Sequence, residues 1–216
     1  MNPSLPKETK ALVQIAEMYR IYSAISHSLL KSTPASLVVT SAERGEGKTT
    51  VVVGLGTMAA IKDKKKVLAI DLNWLDPALH TYFGLDLIEG EKFMNGDSIE
   101  DLVQDSGVSN LDVLAAIKSE TEIDETHGNA IVQKLVQQAR DIYEIILIDT
   151  SKMFPTNRRM MDPVALSKIA DGVALVVLAK VTSRQKAKHA HTVLQTTGAN
   201  ILGVIVNQWK NPMAFL

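Results

Sequence analysis

Five residues within one run of eleven have the types needed to hold a polyphosphate: Gly45, Gly47, Lys48, Thr49 and Thr50 in TSAERGEGKTT, residues 40–50. A glycine-rich turn that opens a helix aims backbone N–H groups and the positive end of the helix dipole at one anion. Lys48 stands where an ammonium reaches the β and γ phosphates, and Thr49 where a hydroxyl reaches magnesium. The pattern G-x-x-x-x-G-K-[ST] is met at Gly47, Lys48 and Thr49, with Ala42 at the place of the first glycine. The candidate nucleotide-contacting run is therefore Arg44, Gly45, Glu46, Gly47, Lys48, Thr49 and Thr50. Two carboxylates are candidates for the same ligand, because Asp71 ends the run VLAID and Asp149 ends IILID. A hard magnesium ion carrying phosphate oxygens takes one or two carboxylates, direct or through water. A pair allows one to hold metal while the other orients or deprotonates a water or hydroxyl in line with the γ-phosphate. Lys48, Asp71 and Asp149 form the candidate catalytic set, and Thr49, Asp71 and Asp149 the candidate metal set.

These residues must be positioned by a frame. Apolar runs of strand length recur at Ser36–Thr40, Lys66–Asp71, Leu111–Ala115, Glu144–Asp149, Gly172–Ala179 and Ile201–Val206. Helix-length segments lie between most of them, at Lys48–Ile61, Asn129–Asp141, Pro163–Ala170 and Ser183–Thr197. Continuous apolar strands alternating with helices predict an α/β fold, a mostly parallel sheet covered on both faces, with ligands at the carboxyl ends of the strands. Leu12, Ile15, Ala16, Tyr19, Tyr22 and Ile25 predict an amphipathic helix over 11–31, and Gly84–Gly107 reads as irregular with room for one short helix. Residues 1–10 read as a flexible lead and 11–216 as one domain.

Bulk composition narrows the chemistry. The 216 residues are 46% hydrophobic and carry a formal net charge of −1, so nothing global points to nucleic acid and any anion site is made locally. There is no cysteine, which excludes disulfides, thiolate metal sites and cysteine nucleophiles. The longest apolar runs fall far short of the roughly 20 residues a membrane span needs, and Met1–Lys10 lacks the apolar core of an export signal.

Five stretches together are specific: TSAERGEGKTT, VLAIDLNWLDPALHTYFGL, YEIILIDTS, ADGVALVVLAKVTSRQ and ILGVIVNQ. Over about residues 14 to 208 the chain resembles the bacterial tyrosine kinases of capsule and exopolysaccharide systems, a branch of the ParA/MinD-like P-loop ATPases of the SIMIBI class. The resemblance implies ATP and magnesium as cofactors, transfer to tyrosine as the activity, and a cytoplasmic protein recruited to the inner face of the membrane. It also implies a partner, the cytoplasmic tail of a membrane polysaccharide co-polymerase, and a homo-oligomer. Glu43 occupies the position of the ParA/MinD signature lysine, which favours the kinase branch over a positioning ATPase. Asp71 and Pro77, with His80, Phe83 and Gly84, match the second acidic motif; Asp149 matches the Walker B aspartate; Asn207 falls near the adenine. Glu17 and Arg20 match part of the E-x-x-R-x-x-R helix tied to ring assembly.

The chain departs from that pattern at Asn73, where the family has a second aspartate, and at Leu75 and Ser23, where it has arginines. An amide oxygen can coordinate magnesium but cannot act as a base. The last tyrosine is Tyr143, so a self-phosphorylating tyrosine tail is not expected, which leaves a weak or inactive ATPase scaffold as the alternative function. Tyr19 and Tyr22 read as packing residues, and Trp74 and Trp209 as packing or ligand-edge residues. The basic stretch Arg184, Lys186, Lys188, His189 and His191 reads as a solvated helix face on which the two histidines diverge. Arg158 and Arg159 follow the Walker B strand where switch loops lie, but no motif assigns them a phosphate.

Overall fold

The computed structural model describes residues 16–29, 33–95, 98–118, 125–154 and 161–208. In chain order these form α1 (Ala16–Leu29), β1 (Ala35–Ser41), α2 (Lys48–Lys62), β2 (Val67–Asp71), α3 (Leu79–Phe83), α4 (Gly90–Met94), α5 (Ile99–Leu102), β3 (Gln104–Val108) and β4 (Leu111–Leu114). They continue with α6 (Glu125–Ile142), β5 (Ile145–Lys152), α7 (Pro163–Ser167), β6 (Gly172–Leu178), α8 (Arg184–Thr196) and β7 (Ile201–Asn207). The strands make one sheet in the order β3-β4-β2-β5-β1-β6-β7. Every pairing is parallel except β3 with β4.

The continuous apolar runs are explained by burial on both faces. Leu37, Val39, Ile145 and Leu147 pack on one side of the sheet with Met18, Tyr22 and Ile25 of α1 and much of α2. Val38, Ile146 and Ile148 pack on the other side with Ile131, Val132, Leu135, Val136 and Ala139 of α6. Alternate residues of a strand point to opposite faces, so a strand covered twice must be apolar throughout. Helix α2 is buried from Val51 to Ala60, which explains its lack of a polar stripe.

Three sequence expectations need correction. Gly84–Gly107 is more ordered than expected, holding α4, α5 and most of β3. The last is a short antiparallel edge strand, and its polar residues QDSGV hide a strand from any hydrophobic pattern. Gly107 at φ 74° and Asn110 at φ 65° supply the left-handed conformations around that hairpin. In α1 the buried stripe is Met18, Tyr22, Ile25 and Leu29, so Ala16 and Tyr19 face outward. Tyr19 is 47% exposed, with the Lys62 ammonium 3.7 Å from its ring centre. Leu12, Ile15 and the lead 1–10 lie outside the described residues. Strand β5 runs three residues past Asp149, to Lys152, with consequences at the site. Among the described residues no helix is long and apolar enough to cross a membrane.

Candidate nucleotide site

Strand β1 lies between β5 and β6, whereas the chain leaves it for β2 on one side and returns past it to β6 and β7 on the other. Where strand order reverses in this way, the loops at the carboxyl ends part and open a crevice. Residues 42–47 fill that position. Gly47, at φ 92°, is the N-cap of α2, and Gly45 has φ 76°. Both conformations are ones that side chains rarely adopt. A Cβ on Gly47 would overlap the Nδ2 of Asn207, so the loop also needs glycine there for space. Ala42, by contrast, is buried without a positive φ, which is why alanine serves at the first position of the motif.

A cavity of about 500 Å³ opens over this loop. Its walls come from Arg44, Gly45, Gly47, Lys48, Thr49 and Thr50 of the loop and α2, from Asn73, Leu75, Asp76, Ala78 and Tyr82 after β2, from Lys152, and from Leu178 and Asn207. Asp71 and Asp149 sit behind it on adjacent strands, directly paired in register, each 1% exposed. Thr49 Oγ1 donates to Asp149 Oδ2 at 2.5 Å. Lys48 is 7% exposed, and its ammonium donates to Ser41 Oγ at 2.9 Å, which in turn donates to the Glu43 carbonyl at 2.6 Å. Burial pulls the Lys48 ammonium below the ordinary lysine value, against the opposing fields of Asp149 and Glu46.

The two aspartates differ in how they are held. Asp71 Oδ1 accepts from the Asn73 N–H at 3.0 Å, while Oδ2 accepts from Ala78 at 3.2 Å and Leu79 at 3.0 Å, so this carboxylate folds the turn that follows β2. Burial still raises its pKa, against those backbone donors. Asp149 is raised by burial and then by the charge of Asp71, with Thr49 and Lys48 pulling the other way. Its Oδ1 is buried and has no hydrogen-bond partner among the described residues. A buried, unpaired carboxylate oxygen beside a threonine hydroxyl is the donor set a hard divalent cation takes, so Thr49 and Asp149, with Asp71 beside them, fit magnesium. No group of three or more histidine, cysteine, aspartate or glutamate side chains placed to hold a metal occurs among the described residues.

Around this centre the structure shows braces that the sequence did not announce. The Glu46 carboxylate does not line the cavity: Oε2 accepts from the Glu43 N–H at 2.8 Å, and Oε1 accepts from the Thr182 hydroxyl, which itself accepts from the Leu178 N–H at 2.8 Å. Asn207 Nδ2 donates to the Glu46 carbonyl at 3.0 Å. The 42–47 loop is thus tied at Glu46 to the β6 and β7 ends, through the carboxylate on one side and the backbone carbonyl on the other. Arg44 grips Asp76 with two bonds of 2.7 Å across the cavity mouth, Thr50 Oγ1 lies 2.9 Å from the Tyr82 hydroxyl, and Glu43 pairs with Lys186 at 2.9 Å. Asn73 turns its amide nitrogen to the Asp76 carbonyl at 2.6 Å. Each of these contacts joins residues whose pairing only the tertiary fold decides. Trp74 packs edge-on against Phe93 at 5.4 Å, as a core residue. His189 stacks on Phe154 at 4.6 Å rather than facing a metal partner. Trp209, Arg158 and Arg159 lie outside the described residues.

Comparison with known proteins agrees with this geometry. The family model "CobQ/CobB/MinD/ParA nucleotide binding domain" matches residues 37–214. Over 198 residues the chain is 31% identical to tyrosine-protein kinase YwqD of Bacillus subtilis (strain 168), spanning 90% of this chain and 81% of that protein. Among solved structures, the chimerical protein CapA2B2 has a TM-score of 0.77 at 25% identity, covering 90% of this chain and 84% of the other. The VpsO kinase domain has a TM-score of 0.73 at 26% identity, covering 94% and 96% respectively. With a buried Walker lysine, a threonine on the second aspartate and glutamate at the signature-lysine position, the chain belongs to the CobQ/CobB/MinD/ParA nucleotide-binding family and, within it, to the bacterial tyrosine kinases.

Proposed function

We propose that the protein binds Mg-ATP in the cavity over residues 44–50 and transfers the γ-phosphoryl group to a tyrosine hydroxyl of a protein partner. The observation that carries this reading is the Thr49 to Asp149 hydrogen bond at 2.5 Å beside a buried, unpartnered carboxylate oxygen. Thr49 and Asp149 would hold the magnesium, with Asp71 directly or through water, and the ion would neutralise charge on the β and γ oxygens. Backbone N–H groups of the loop and the start of α2 receive the phosphates, and Lys48 leaves Ser41 to meet them. Asn207, which lines the cavity from the end of β7, would lie beside the adenine. The tyrosine oxygen forms a bond to the γ-phosphorus as the bond to the β-bridging oxygen breaks, and its proton passes to Asp71. Burial keeps that carboxyl more basic than an ordinary aspartate. The resemblance of the sequence motifs to the bacterial tyrosine kinases of capsule and exopolysaccharide systems supports placing that tyrosine on the cytoplasmic tail of a membrane polysaccharide co-polymerase.

The test is incubation of the purified chain with γ-labelled ATP and magnesium, alone and with a tyrosine-bearing peptide, following phosphotyrosine and free phosphate separately. Phosphotyrosine on the peptide that disappears in Lys48→Ala is the expected result. Bound nucleotide with neither product would replace the kinase by a nucleotide-dependent scaffold.

A further inference from the structure

We propose that Lys152 is a second phosphate-binding cation of this site, one that grips the terminal phosphate and makes the protein prefer a triphosphate to a diphosphate. The inference rests on the nucleotide-binding reading above. Among the described residues, three cationic side chains line the cavity: Arg44, Lys48 and Lys152. Arg44 is committed to Asp76 by two hydrogen bonds. Lys48 is committed to Ser41 and lies in the fields of Asp149 and Glu46. Lys152 is half-buried, yet among the described residues its ammonium forms no ion pair and no hydrogen bond. The carboxylate whose charge feels it, Glu43, is already bonded to Lys186. An ammonium partly withdrawn from water gains from a charge-assisted contact, and a phosphate oxygen in the cavity supplies one.

The backbone fixes the side of the cavity from which it reaches in. Strand β5 continues past Asp149 so that Lys152 pairs in register with Ser41, and the next N–H, that of Met153, donates to the Ser41 carbonyl at 2.8 Å. Lys152 therefore stands on the β1–β5 side, three residues beyond the carboxylate fitted to magnesium. Leu178 and Asn207 line the far side, on β6 and β7. Since the motif lysine and threonine meet the β/γ phosphates and their metal, a nucleotide laid across the cavity ends its phosphate chain at the Lys152 side. The charges agree. The described lining carries three cations, Arg44, Lys48 and Lys152, against one acid, Asp76, so it favours an anion.

Titration calorimetry of Mg-ATP and Mg-ADP into the wild type, Lys152→Met and Lys152→Arg tests this. Lys152→Met should weaken Mg-ATP about tenfold and Mg-ADP less than about twofold, and Lys152→Arg should restore most of the ATP affinity, since a charge-assisted contact is lost and then replaced. A lysine serving only the fold would move both nucleotides together, so equal losses, or no loss of ATP affinity, overturn the proposal. If Lys48→Ala loses both nucleotides while Lys152→Met matches the wild type, only the role of Lys152 fails. If the wild type binds neither nucleotide, the nucleotide-binding reading fails and this proposal with it.

Discussion

Thr49 and Asp149, a hundred residues apart in sequence, are joined by a 2.5 Å hydrogen bond that fastens the first turn of α2 to the end of β5. The hydroxyl satisfies one oxygen of a buried carboxylate and leaves the other unpaired. Thr49→Val should therefore do two things. It leaves Asp149 without its one side-chain donor, which destabilises the nucleotide-free protein by about 1–3 kcal/mol. It also lowers Mg-dependent nucleotide affinity by about tenfold or more through loss of a metal ligand, while Thr49→Ser keeps both properties. Thermal melts and calorimetry on the two variants check this.

Glu46 links Glu43 and Thr182 through opposite oxygens of a carboxylate that is 1% exposed. In Glu46→Leu neither the Glu43 N–H nor the Thr182 hydroxyl keeps its acceptor, which leaves the loop N–H mispaired. A stability loss of about 1–3 kcal/mol is expected from the mispaired group, and nucleotide affinity falls because the loop loses its tie to β6. Urea unfolding together with nucleotide titration measures both effects, and an unchanged affinity would show the brace to be irrelevant to binding.

Gly47 cannot carry a side chain without both a strained φ of 92° and an overlap with Asn207. Gly47→Ala should abolish nucleotide binding at a folding cost of about 1–3 kcal/mol. Adding Asn207→Ala relieves the overlap but not the backbone strain, so the double variant stays defective in binding, as fluorescence titration with a labelled nucleotide would show.

The pH response follows from the direction in which the paired aspartates are shifted. Burial raises the pKa of both Asp71 and Asp149, and their mutual repulsion adds to this at Asp149. A carboxyl raised in the folded state binds more protons there than in the unfolded chain, so on this account stability falls as pH rises from the ordinary carboxylate range through the raised value. Magnesium takes only the ionised form. The gain in melting temperature on adding Mg-ADP should grow between about pH 5 and pH 8, and the growth should diminish in Asp149→Asn. A gain that shrinks with rising pH would contradict the assignment.

Much of this site was legible in the sequence because its parts sit on strands buried on both faces. Val67–Asp71 and Ile145–Asp149 announced themselves as apolar runs ending in acid, and the register that sets Asp71 beside Asp149 follows from adjacent parallel strands. Lys152 was missed because its strand leaves the apolar pattern after Asp149 yet stays paired to β1. Thr182, Asp76 and Tyr82 were missed, and Glu46 was expected at the nucleotide rather than as a brace behind it, because their partners lie 32 to 136 residues away and no local period encodes them. Tyr19 fits a helical apolar spacing but lies off the buried stripe, which runs through Met18 and Tyr22 instead.

The central claim is that Lys48, released from Ser41, gathers a magnesium-bound triphosphate in front of Asp71 and Asp149. Titration calorimetry of Mg-ATP into the wild type and into Lys48→Ala tests it most directly. The account predicts one binding event per chain that requires magnesium and is lost in Lys48→Ala. Wild-type protein that is folded yet takes up no ATP, or a Lys48→Ala variant that binds as tightly as the wild type, would contradict it.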